Sequence, residues 1–71
     1  MKKLLKQYGF KSDMQYFEMI VESVINGQRT QAKNQFNAMP RKARKSFVVS
    51  IYGSWDSGLS DSEKAFFMNL L

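Results

Sequence analysis

The stretch Ser12–Gly27, SDMQYFEMIVESVING, decides the fold. Met14, Phe17, Ile20, Val21, Val24 and Ile25 recur in it at helical intervals. Gln15, Glu18, Glu22 and Asn26 fall on the opposite side. A repeat close to 3.6 residues, apolar on one face and polar on the other, is the mark of an amphipathic helix packed on a core. Ser12 or Asp13 is placed to cap it, and Ser12 with Gln15 has capping-box spacing. Asn26-Gly27 ends it, because glycine enters the left-handed conformation of a helix C-cap without a Cβ penalty. The expectation is a helix from Asp13 to Asn26.

Working outward, Arg29 to Ala38 is a second helix with a thin apolar stripe of Ala32, Phe36 and Met39. Pro40 marks a boundary and suits the first position of a third helix, Pro40 to Tyr52. Ala43, Phe47, Val48, Ile51 and Tyr52 give that helix its apolar side. Gly53-Ser54-Trp55-Asp56-Ser57-Gly58 reads as a loop. A last helix begins at Ser60, which has capping-box spacing to Glu63, with Asp61 also in the first turn. Residues 2–8 form a short basic turn or helix ended by Gly9. The fold class is all-α, a single domain of residues 1–71 built as a small bundle of three to four short helices. Its core is expected to draw on Phe17, Ile20, Val21, Val24, Phe36, Phe47, Ile51, Phe66 and Leu70.

The chain has 71 residues, no cysteine and no histidine. Disulfides and thiolate metal sites are excluded, and so are the usual zinc, copper and haem ligands. No cofactor is expected. A core this small supplies roughly 3–5 kcal/mol of net stability. No apolar run reaches the 18–20 residues or so of a membrane span, and Lys6-Gln7 interrupts the start too early for a secretory signal. The expected location is cytoplasmic.

Charge is unevenly laid out. The net charge is +5. Between Gln28 and Val49 stand Arg29, Lys33, Arg41, Lys42, Arg44 and Lys45, with no acid among them. Residues 12–27 carry Asp13, Glu18 and Glu22 and no base. A cationic helical block points to a polyanionic or acidic partner. Arg41, Arg44 and Lys45 have the spacing of one helix face, and Arg29 and Lys33 are one turn apart on the helix before. These five are the candidate nucleic-acid-binding residues. The first turns of the third helix hold the densest cluster, at the end where the helix dipole disfavours cations. Phosphate contact through such a patch is salt-sensitive and largely blind to sequence. Gln28, Gln31, Asn34, Gln35 and Asn37 add amides of the kind that pair with adenine edges. The alternatives are an acidic protein, a membrane surface, or a helix face that is simply solvated. The joint at Ala38-Met39-Pro40 has helix-turn-helix spacing but lacks the glycine common in that turn.

Catalysis has little to stand on. Without His or Cys, chemistry would fall to carboxylates, lysine, serine or tyrosine. Glu18 and Glu22 read as a solvated helix face, and Asp61 with Glu63 as a cap. No glycine-rich phosphate loop is present. The expectation is a non-enzymatic protein without a small-molecule substrate. Phe10, Tyr16, Met19, Trp55 and Met68 exceed the obvious needs of the core, which raises a second reading: a protein-interaction module or homodimeric adaptor. A third is contact with anionic lipid through Lys2, Lys3 and Lys6 beside Leu4 and Leu5.

The run Ile20-Val21-Glu22-Ser23-Val24-Ile25-Asn26-Gly27-Gln28-Arg29, followed by Gln31-Ala32 and Gln35-Phe36, resembles a pattern in small helical proteins of phages and integrated mobile elements. It covers residues 14–47 and does not extend into the Trp55 loop or the last helix. The resemblance implies a bacterial or phage accessory protein and supplies no site residues.

Overall fold

Helix ends show most directly how this sequence sets its elements. The computed structural model describes all 71 residues and contains α1 (Lys2–Tyr8), α2 (Asp13–Ile25), α3 (Arg29–Ala38), α4 (Arg41–Tyr52) and α5 (Asp61–Leu70), with no strand. The all-α class holds, with five helices where three to four were expected. The additional one is α1. Gly9 closes it at φ 72°. Phe10 N–H donates to the Leu5 carbonyl at 2.8 Å and Gly9 N–H to that of Lys6 at 3.2 Å. This paired closure is the Schellman motif, and it gives a basic N-terminal heptapeptide a defined stop. Leu4, Leu5 and Phe10 then pack against the core. The apolar residues invoked for lipid contact are turned inward.

Both expected capping boxes form. Gln15 N–H donates to Ser12 Oγ at 3.4 Å, and Ser12 N–H to Gln15 Oε1 at 3.3 Å. Glu63 N–H donates to Ser60 Oγ at 3.2 Å, and Ser60 N–H to Glu63 Oε1 at 2.8 Å. Gly27, at φ 79°, ends α2 in a second Schellman pair, with bonds from Gln28 N–H to Ser23 O and from Gly27 N–H to Val24 O. Pro40 differs from expectation. Its ψ of 154° is extended, so it is the N-cap of α4 and Arg41 is the first helical residue.

Four helices each contribute one phenylalanine to the centre. The Phe47 ring of α4 meets Phe17 of α2 at 5.3 Å, Phe36 of α3 at 5.7 Å and Phe67 of α5 at 4.9 Å. These are edge-to-face arrangements, which the ring quadrupole favours. Trp55, folded back from the α4–α5 loop, adds a fourth edge contact to Phe47 at 6.3 Å. Two core assignments are corrected. Phe66 and Leu70 are only half-buried, and Phe67 is the fully enclosed residue of α5. Adjacent residues lie 100° apart on a helix, so an apolar pair at 66–67 does not declare which member points inward. Met39 and Leu59 are also buried although they lie outside the helices. Ile25 is 61% exposed, because the apolar face of α2 outruns its partners at the last turn.

One buried polar pair ties α2 to α3. Ser23 Oγ donates to Gln35 Oε1 at 2.9 Å, and the Tyr16 hydroxyl donates to the Gln35 backbone carbonyl at 2.6 Å. Pro40 explains the second bond. Lacking an N–H, it offers nothing to the Phe36 carbonyl. Met39 N–H goes to that carbonyl instead, at 3.1 Å. Tyr16 then serves the carbonyl of Gln35, one of the last-turn acceptors that helix geometry leaves open.

Candidate nucleic-acid interface

The basic residues stand on α3 and α4, and core packing sorts them. On α3 the buried residues are Ala32, Gln35 and Phe36. At 100° per residue, Arg29 and Lys33 share the flank next to Phe36. Lys33 is exposed. The Arg29 guanidinium lies 5.4 Å from the centroid of the Phe66 ring in α5. The positive charge over a ring face is attracted by its quadrupole, so Arg29 is held against α5. Its charge also acts on Glu63. The carboxyl of Glu63 is held below its usual range by the Ser60 backbone and side-chain hydrogen bonds first, and by Arg29 last.

On α4 the buried residues are Ala43, Phe47, Val48 and Ile51. Arg41 and Lys45 are exposed on a flank shared with Tyr52. Arg44 separates from them. It is half-buried, and its Nε is shut from solvent with no hydrogen-bond partner. The reason is legible in the numbering. Arg44, Phe47, Val48 and Ile51 follow the i, i+3, i+4, i+7 spacing of an inward stripe, so Arg44 stands in line with the core one turn before Phe47. Lys42 is exposed beside a hollow of about 390 Å³ that it shares with Met1, Asp13, Pro40, Ala43 and Ser46.

Two contacts place the basic flanks relative to one another. Arg29 meets α5 at Phe66, and Lys64 Nζ of α5 lies 6.0 Å from the Tyr52 centroid of α4. Positions 64 and 66 are 200° apart around α5. The α3 row (Arg29, Lys33) and the α4 row (Arg41, Lys45) therefore border α5 on different sides, with Lys64 adding a cation to the second. Of the five sequence candidates, Lys33, Arg41 and Lys45 face water, Arg29 is engaged with an aromatic ring, and Arg44 is partly withdrawn.

The helix ends beneath these rows are bare. Neither α3 nor α4 has a side-chain cap or an acid in its first turn. The amides of Arg41, Lys42 and Ala43 precede the first intrahelical bond of α4, which runs from Arg44 N–H to the Pro40 carbonyl at 3.0 Å. Such N–H groups carry the positive end of the helix dipole, and on α4 the surrounding side chains are cations as well.

A groove of about 750 Å³ lies between the end of α1 and α3, on the side of α3 that carries Gln31 and Asn34, about 100° or more around the helix from Arg29 and Lys33. Tyr8, Met19, Arg29, Gln31, Asn34 and Gln35 are among its lining residues. Gln35 is corrected here: it is buried and bonded to Ser23, so its amide is not among those offered outward. The aromatics suspected of surplus are mostly core. Tyr16 is fully buried, and Phe10, Met19 and Trp55 pack against the central cluster, while Met68 is exposed.

No three acidic side chains gather as a metal-binding group, and no helix is long and apolar enough to cross a membrane. No protein-family model matches the chain, and the searches of curated proteins and of solved structures find none similar to it.

Proposed function

We propose that this is a small non-enzymatic accessory protein that binds the phosphate backbone of nucleic acid through the cations of α3 and α4. The contacts form two sets on different sides of α5: Lys33 with Arg29, which Phe66 positions, and Arg41 with Lys45, to which Arg44 adds charge from behind. One observation carries the reading. The chain builds full capping boxes for α2 and α5 and none for α3 and α4. Cations at an N-terminus cost a few tenths of a kcal/mol each when exposed. A bound phosphate reverses that term, because both the free amides and the side chains then face an anion. A bacterial or phage origin and a cytoplasmic location go with this reading.

Fluorescence anisotropy with labelled DNA, from low to moderate salt, tests it. Log affinity should fall linearly with log salt. Lys33→Ala, Arg41→Ala and Lys45→Ala should each lower the slope, by about 0.7 on single strands and about 0.9 on duplex. No binding even at low salt removes the proposal. The alternative, a homodimeric adaptor, rests on Val49 and Tyr52, which are 71% and 47% exposed on α4. Light scattering across a concentration series separates the two.

A further inference from the structure

We propose that the groove between α1 and α3 holds an unpaired nucleobase, stacked on Tyr8 and hydrogen-bonded by Gln31 and Asn34. The inference rests on the nucleic-acid reading above and specifies the form of the ligand: single-stranded rather than duplex.

Tyr8 supplies the platform. The residue is 44% exposed. It stacks on Phe10 at 5.6 Å with the planes 14° apart, and meets Tyr16 edge-on at 5.7 Å. Those two neighbours fix the ring and leave part of it to solvent. A ring already held in place loses little freedom on binding, and base–aromatic stacking is tolerant of sequence because every base has a π-face. Met19, half-buried, lies at the same groove, where its flexible thioether adapts to a flat ligand.

The amides supply the polar contacts. Gln31 and Asn34 are exposed and line the groove, three residues apart on one side of α3. Each carries a donor and an acceptor that match the edge of an unpaired base, with adenine the best partner for a bidentate amide. In a duplex, stacking covers both faces of each base, so only a splayed base can lie on the Tyr8 ring while its edge meets the amides. The groove volume, about 750 Å³, falls within the usual 300–1,000 Å³ or so of ligand sites. Arg29 borders only the α2–α3 end of the groove, and its guanidinium is turned to Phe66 of α5, so Tyr8, Gln31 and Asn34 carry the contact with the base.

The test compares a short labelled oligo(dA) strand with a duplex of the same length at low salt, using the full chain. The single strand should bind more tightly. Tyr8→Ala should weaken single-strand binding on the order of tenfold and leave duplex binding unchanged, and Tyr8→Phe should retain the wild-type affinity. Circular dichroism checks that Tyr8→Ala is folded. If it is not, Asn34→Ala reads the same groove without disturbing the aromatic group, with the same selective loss. Equal affinity for the two DNA forms, or a Tyr8→Ala and Asn34→Ala pair that binds single strands as well as wild type, overturns the base-binding groove and leaves the phosphate reading intact. Absence of binding to either form at low salt overturns both.

Discussion

Replacing Tyr16 by phenylalanine removes one oxygen from a fully buried side chain. That hydroxyl donates to the Gln35 carbonyl at 2.6 Å. No backbone donor stands ready to replace it, because Met39 N–H already serves Phe36 and Pro40 has none. The variant therefore loses a hydrogen bond and strands an acceptor at a residue that is 8% exposed. The two effects together amount to about 1–3 kcal/mol. Against a total of roughly 3–5 kcal/mol for a core of this size, that is a large share. At about 4–8 °C per kcal/mol for a domain of this length, a mid-range loss of about 2 kcal/mol lowers Tm by roughly 8–16 °C. Trp55 fluorescence reports the transition, because its ring contacts Phe47 in the folded state. A Tm within about 2 °C of wild type, with an unchanged urea m-value, would refute the account of how α3 is terminated. The same variant carries a pH signature. Burial first, and the neighbouring Tyr8 second, push the Tyr16 phenol from 10.0 up to about 12. In the unfolded chain it ionises near 10. Between pH 10 and 12 the unfolded state thus binds fewer protons than the folded one, and stability falls as pH rises. The contribution is fully present below pH 10. Urea titrations of wild type across that window should show a steeper decline than those of Tyr16→Phe.

Three further outcomes follow from the packing. Phe47→Ala removes the ring that meets Phe17, Phe36, Trp55 and Phe67; at about 3–5 kcal/mol the loss matches the whole stability, so the variant should show no cooperative thermal transition. Ser60→Ala removes the α5 cap and should cost about 1 kcal/mol, read as a lower urea midpoint at constant m, with Asp13→Ala as a milder control. Arg41→Ala and Arg44→Ala should differ in kind: the first stays within about 0.5 kcal/mol of wild-type stability and lowers the salt dependence of DNA binding, whereas the second also lowers Tm, because Arg44 is half-buried in the core stripe of α4.

Local signals carried most of the fold. The capping boxes at Ser12 and Ser60 and the glycine at 27 set the helix ends, because these depend on residues within one turn of each other. What sequence spacing left open was relative orientation. Phe66 and Phe67 were interchangeable until α3 supplied Arg29 as a cover for the first. The groove has the same origin. Tyr8, Gln31 and Asn34 line one groove only because the α1 closure and the α2–α3 turn bring distant segments together, and no spacing along the chain announces that. Arg44 is legible in the sequence: its register with Phe47, Val48 and Ile51 places it inward, although its charge groups it with Arg41 and Lys45.

The unequal helix ends have a dynamic consequence. α2 and α5 carry their own caps and acids at the N-terminus, so part of their order is local. α3 and α4 start without either and depend on the phenylalanine cluster and the Tyr16 bond to stay wound. Amide protons in the first turns of α3 and α4 should exchange with solvent sooner than those in the middle of α2, through openings well below the cost of global unfolding. The segments that carry the cations are then also the ones free to reshape, and an anion that satisfies their open amides would slow that exchange and raise the melting temperature together.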